Sequence, residues 1–288
     1  MTIQHECIAC IAGQSRRVCD AIEADETLRS AITSHVEEAL LHADFTLSPP
    51  IVAAPLYETM ARLADKTDLY DHQKKHATKQ AESYIDFLET TIAQSDDPFL
   101  AILKTAVVGN VIDLASEVSF DLHDAIASVF AIPFAHDDSQ SLRKSLLSAN
   151  NLLYIGDNAG EHIFDRIAIK HLRRLYPNLS VSYMVRGNPI INDVTLKDAK
   201  EAGMEDFCTL LDSGVPTPGF VYDLASASAQ EAFEQADLII AKGMGNYECM
   251  TPQQRNGICF LLKVKCSVVA SSLQRQIGDI VCLFEKSV

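Results

Sequence analysis

The chain has 288 residues, 48% of them hydrophobic and 22% charged, the make-up of an ordinary globular protein with one large or two unequal domains. A formal net charge of −15, with no Lys/Arg-rich block to reverse it locally, argues against a nucleic-acid-binding surface. No apolar run nears the ~20 residues that span a bilayer, and Met1 to Ser15 carries Glu6 and polar breaks where a signal peptide needs an apolar core.

Residues 1–149 read as a helical domain and 150–288 as an α/β domain. In the first stretch Val18, Ile22, Leu28, Ile32 and Val36 recur at helical spacing through Leu40-Leu41, with a break near Asp25. Ser48 before Pro49-Pro50 marks a helix start, because proline is tolerated in a first turn. A long polar helix is expected over Asp71 to Ala93. Asp96-Asp97-Pro98 then caps another, carrying Phe99, Ile102, Leu103 and Ala106 towards Ile112. No strand alternation is read in this half.

From Asn150 the pattern changes. Short apolar strand candidates stand at 152–155, 180–185, 207–211, 237–241 and 267–270. Helical segments at roughly 160–176, 194–203, 226–235 and 251–263 separate them. Strand and helix alternating in this way predict an α/β domain, a mostly parallel sheet with helices on both faces.

Three of the strand exits carry chemistry. The first delivers Gly156-Asp157-Asn158-Ala159-Gly160-Glu161, the second Arg186 and then Asn192-Asp193, the third Lys242-Gly243-Met244-Gly245-Asn246. In a parallel sheet all three point to one edge, where ligands bind. Carboxylates and an amide oxygen suit a hard cation such as Mg²⁺ or Mn²⁺, while Arg186 and Lys242 suit phosphate oxygens. Gly243 and Gly245 would let backbone N–H groups approach an anion. Each residue also has a plainer use: Asp157, Asn158 and Asp193 as turn residues or helix caps, Lys242 as a solvated charge.

These blocks resemble the signature segments of the metal-dependent damage-control phosphatases, a former domain-of-unknown-function family that includes protein-glutamate methyltransferase-like proteins. Cys7-Ile8-Ala9-Cys10, followed by Gln14, is similar to the mark of its mostly prokaryotic CxxC subfamily, and Gly109-Asn110-Val111-Ile112-Asp113 to a further helical block. The matches run in order along nearly the whole chain, and the resemblance implies a helical N-terminal region packed on a Rossmann-like α/β domain. The resemblance implies hydrolysis of phosphate monoesters of small metabolites, damaged or side-product sugar phosphates among them, supported by a divalent metal. It also implies Asp157, Asn158 and Asp193 as metal ligands, with Asp157, Asp193 and Lys242 in catalysis. Glu161, Arg186, Asn246, Asn110 and Asp113 would line the substrate pocket.

Two other functions compete: an S-adenosylmethionine-dependent carboxyl methyltransferase, and a metal- or phosphate-binding module without catalysis. Against the first, Gly156-Asp157-Asn158 lacks the multi-glycine loop expected for a nucleoside cofactor. Cys7 and Cys10 have the spacing of half a zinc site, yet no second pair completes it. Metal binding, a redox-labile pair and helix packing stay open for them. The eight cysteines with no export signal predict a cytoplasmic protein with mostly reduced thiols, Cys208, Cys259, Cys266 and Cys282 being small core residues.

Overall fold

The structure, a computed structural model, describes residues 1–111, 122–251 and 255–285. Three helices lead: α1 (His5–Ala21), α2 (Glu26–Leu40) and α3 (Pro49–Leu63). The break near Asp25 is the start of α2, where the Asp25 carboxylate accepts a hydrogen bond from the backbone N–H of Leu28 at 2.8 Å. These helices bury one another. Val18 and Cys19 of α1, Ile32 and Val36 of α2, and Leu56 and Met60 of α3 share one apolar cluster.

Next come α4 (Asp71–Glu82), α5 (Ile85–Gln94), α6 (Pro98–Val111) and α7 (Leu122–Ala131). The single long helix expected over 71–93 is therefore two. Ser83 donates its hydroxyl to the Gln80 carbonyl at 2.6 Å, a local bond that competes with the helical ladder at the junction. The expected cap of α6 forms, with the Leu100 N–H bonded to the Asp97 carboxylate at 3.1 Å.

The remaining elements are β1 (His136–Asp137), α8 (Ser139–Leu146), β2 (Asn151–Ile155), α9 (Glu161–Leu175), β3 (Ser180–Val185), α10 (Leu196–Glu201) and β4 (Thr209–Asp212), then β5 (Leu238–Lys242) preceded by α11 (Ala227–Gln235). After them stand α12 (Gly243–Met250), β6 (Ile258–Lys263), α13 (Ser267–Leu273) and β7 (Ile280–Glu285). One sheet runs in the order β1-β7-β6-β5-β2-β3-β4, with every neighbouring pair parallel except β6 and β7.

Two expected elements exchange identity. The helix read over 251–263 contains β6, and the strand read over 267–270 lies inside α13. Ile258 to Leu262 is an unbroken apolar run, and such a run fits a doubly buried strand as well as a buried helix. It inserts between β5 and β7. Across the turn, the Cys266 thiol accepts from the Val269 N–H at 3.4 Å and starts α13 despite its β-branched residues. The pairing of β1 with β7 was also not foreseen.

Strand residues alternate between two cores. Leu152 and Tyr154 face a cluster that includes Leu88, Ile102, Val107, Ile163 and Phe164 from α5, α6 and α9. Leu153 and Ile155 face Phe233, Tyr247 and Met250 of α11 and α12. Helices from the first half of the chain thus share a core with the sheet. Among the described residues, no helix is long and apolar enough to cross a membrane.

Candidate active site

Strands β5, β2 and β3 are adjacent and parallel, so their C-terminal exits lie side by side at one sheet edge. Backbone bonds then clamp the exits of β2 and β3 together. The Val194 N–H donates to the Asp157 carbonyl at 2.9 Å and the Ala159 N–H to the Asn192 carbonyl at 2.8 Å. Asn158 and Asp193 form an isolated antiparallel bridge. None of Asp157, Asn158 and Asp193 caps a helix: the N-cap of α9 is Gly160, and that of α10 is Thr195, in a capping box with Asp198.

Neighbouring amides fix the carboxylates. Asn158 Nδ2 donates to Asp157 Oδ2 at 3.1 Å and to Glu161 Oε1 at 2.8 Å. Asn110 of α6 donates to the same two acceptors at 3.0 and 3.3 Å, while its own carbonyl accepts from the Lys263 N–H at 2.8 Å. Gly109 lets α6 come this close, since a Cβ there would lie 2.6 Å from Glu161 Cγ. Arg186 Nε donates to Asp193 Oδ2 at 2.7 Å. Among the described residues, this leaves Asp157 Oδ1, Asn158 Oδ1 and Asp193 Oδ1 without a hydrogen bond.

Beneath this layer lies a buried charge network. Lys242 Nζ donates to Asp165 Oδ1 at 2.8 Å and stands 3.7 Å from Glu161 Oε2. The hydroxyls of Tyr154 and Tyr183 donate to the two Asp165 oxygens at 2.6 and 2.9 Å. Burial opposes the Lys242 ammonium, but Asp165 and Glu161 outweigh it and hold the lysine charged. Among the described residues, both terminal nitrogens of Arg186 are buried without a hydrogen-bond partner, one of them 3.9 Å from Asp157 Oδ1, and Glu161 Oε2 is likewise unpartnered.

Four buried carboxylates (Asp157, Glu161, Asp165 and Asp193) therefore face two buried cations, Arg186 and Lys242. One divalent cation would offset that excess of two negative charges. Burial, followed by the charges of Glu161 and Asp193, pushes the Asp157 carboxyl well above the usual carboxylate range. Burial likewise raises the Asp193 carboxyl to about 6, against the pull of Arg186. Among the described residues, no group of three His, Cys, Asp or Glu side chains is arranged to hold a metal, so a three-ligand set needs the Asn158 amide.

A cavity of about 470 Å³ opens over this cluster, within the usual range for small-molecule sites. Asn110, Asp157, Asn158 and Asp193 reach its wall, but Glu161, Arg186, Lys242 and Asn246 do not. Asn246 is spent on the backbone: its amide donates to the carbonyls of Gly156 and Lys242 at 3.1 and 2.7 Å, and its oxygen accepts from the Phe220 N–H at 2.9 Å. Asp113 lies outside the described residues. Lys265, after β6, lines the cavity, has no ion pair among the described residues and acts on Asp157 by charge. Its backbone N–H donates to Met244 Sδ at 3.2 Å, which ties it to the β5 exit.

Sequence reasoning missed Asp165 and Lys265. Asp165 had a signal, as an acid one helical turn after Glu161 in the otherwise apolar run Ile163-Phe164…Ile167-Ala168. Lys265 had none, because the segment before it reads as helix. Cys7, Cys10 and Cys266 also line the cavity, and among the described residues all the cysteines are free thiols. Cys266 is only partly buried, unlike Cys259 and Cys282.

The sequence matches the damage-control phosphatase ARMT1-like domain over residues 3–281. It is 32% identical over 289 residues to a damage-control phosphatase of Pyrococcus horikoshii, covering 99% of both chains. A damage-control phosphatase of Archaeoglobus fulgidus is 30% identical, with 98% of each chain covered. The crystal structure of the Pyrococcus horikoshii protein superimposes with a TM-score of 0.92 at 31% identity, covering 99% of this chain and all of that one.

Proposed function

This chain belongs to the damage-control phosphatase ARMT1-like family, and we propose that it is a metal-dependent phosphomonoesterase acting on small phosphorylated metabolites. One observation carries the metal dependence. Among the described residues, Asp157, Asn158 and Asp193 line the cavity, each with one oxygen free of hydrogen bonds, at the edge of a buried cluster two negative charges in excess. These three would hold a divalent cation such as Mg²⁺ or Mn²⁺. Bound there, the cation supplies charge neutralisation and a template for phosphoryl oxygens.

The chain's own residues do the rest. Asn110 and Asn158 fix one face of the Asp157 carboxylate, and Arg186 fixes Asp193. Lys242, Glu161 and Asn246 act from behind the wall as positioning residues: Lys242 pairs with Asp165 and stands beside Glu161, and Asn246 ties the β2 and β5 exits together. Lys265 approaches from the open side, where it neutralises equatorial phosphoryl oxygens, the main task in phosphoryl transfer. A water attacks phosphorus in line as the P–O bond to the leaving group breaks; the water's proton passes to the Asp157 or Asp193 carboxylate, and the departing oxygen takes up a proton from solvent and leaves as the alcohol. Direct attack fits better than a covalent intermediate, because no Asp-x-Asp motif stands at a strand exit.

Phosphate release from an aryl phosphate should appear on adding Mn²⁺ or Mg²⁺ and vanish with a chelator. Equal release from metal-free protein would refute the reading. Lys265→Ala should weaken inhibition by inorganic phosphate about tenfold or more, the scale of one hydrogen bond to a charged group. Lys265→Arg should keep most of it. An unchanged phosphate inhibition constant in Lys265→Ala would remove this lysine from the phosphate site.

A further inference from the structure

The acid cluster forms one side of the cavity, and α1 forms the other. Cys7, Cys10, Gln14 and Arg17 all line it, at spacings of three, four and three residues that place them in one seam along the helix. Cys7 of this seam also joins the apolar cluster with α2 and α3, as do Ile11, Val18 and Cys19. Cys10, Gln14 and Arg17 are therefore the part of the seam left to a ligand. Pro49, Pro50 and Ala53 continue the same wall from α3 and offer no hydrogen-bonding side chain.

Within the seam Gln14 is distinct. Its Oε1 is buried and has no hydrogen-bond partner among the described residues. A turn of the carboxamide about its terminal bond brings this acceptor to the cavity, where a ligand donor pairs it; an apolar ligand gains nothing there, because the oxygen is already desolvated and unpaired. The phosphoryl group belongs on the acid cluster, so whatever reaches α1 is the remainder of the ester.

We propose that the α1 seam is the leaving-group subsite and that the Gln14 carboxamide selects phosphate esters whose leaving group offers it a hydroxyl or amine hydrogen. The inference rests on the phosphatase reading above. It gives α1 the discrimination between esters and leaves phosphate capture to the sheet edge and Lys265. Gln14 acts on the leaving group alone, so its replacement separates two affinities that a structural defect would lower together.

The test uses full-length Mn²⁺-loaded protein, wild type and Gln14→Met, with a hexose 1-phosphate, phenyl phosphate and inorganic phosphate. Steady-state kinetics report the two esters, inhibition reports inorganic phosphate, and calorimetric titration replaces both if no phosphate is released. Gln14→Met should lower kcat/KM, or the affinity, for the hexose phosphate about tenfold, the scale of one neutral hydrogen bond. Phenyl phosphate and inorganic phosphate should be unchanged. Equal losses for all three ligands, or no loss for the hexose ester, overturn the proposal. Should Gln14→Met fail to fold, Gln14→Ala is held to the same criteria. A wild-type protein that binds the hexose ester through Gln14 yet releases no phosphate would defeat the phosphatase reading while upholding the subsite.

Discussion

Asp165→Ala should unfold at a much lower urea concentration than the wild type, with a loss of stability of about 3–5 kcal/mol, the usual cost of removing one partner of a buried ion pair. Asp165 is fully buried on α9 and accepts from Lys242, Tyr154 and Tyr183 at once. Among the described residues, alanine leaves the Lys242 ammonium with Glu161, 3.7 Å away, as its remaining ion-pair partner, and leaves two buried phenols without their Asp165 acceptor. A loss of this size is a large share of the ~5–15 kcal/mol by which domains are stable. Asp165→Asn keeps an acceptor for the tyrosines and should cost less than alanine. The check is the urea midpoint at constant slope. A midpoint for Asp165→Ala equal to that of the wild type would show that the network contributes nothing to the fold.

Gly243→Ala should leave the protein folded and remove its metal-dependent activity. Gly243 has φ +77, and a Cβ on it would stand 1.9 Å from Asp157 Oδ2 and 2.3 Å from Asp157 Cγ. The carboxylate has to move, and a displacement of about 1 Å at a reacting centre can cost 10²-fold in rate. Gly278→Ala is the control. Its φ is +100, so alanine there meets comparable backbone strain, yet no atom lies within 4 Å of the added Cβ. Gly278→Ala should lower stability and spare activity. Gly243→Ala that releases phosphate at the wild-type rate would mean that the Asp157 position is immaterial.

Parts of the fold were plain in the sequence. β3 spans the expected 180–185, and α9 and α11 stand within a residue or two of their expected bounds, because each is flanked by turn residues and has a clear period. The exchange of β6 and α13 was not legible. Ile258 to Leu262 carries no polar interruption to mark either period, and its partners β5 and β7 are non-local. The pairing of β1 with β7 joins residues 136–137 to 281–282, a separation no local pattern can report.

The site divides in the same way. The exits of β2 and β3 were readable because parallel order brings them to one edge. The place of Lys242 could have been read from strand alternation. Lys242 is two and four residues from Ile240 and Leu238, which face the α9 side of the sheet, so its side chain turns inward to Asp165 and away from the cavity. Gly243 and Gly245 are required by close neighbours, Asp157 Oδ2 and the Pro218 carbonyl, each 1.9 Å from an added Cβ. The sequence reading had them approaching an anion. Lys265 was hidden behind the misread β6, and the α1 wall depends on how the first three helices sit on the sheet edge, which periodicity does not encode.

The central claim is that Asp157, Asn158 and Asp193 hold one divalent cation at the phosphoryl site. Counting bound Mn²⁺ by equilibrium titration, in wild type and Asp157→Ala of equal thermal stability, tests it most directly. The account predicts one tightly bound Mn²⁺ per wild-type chain and loss of that site in Asp157→Ala. Wild-type stoichiometry and affinity in Asp157→Ala would contradict it.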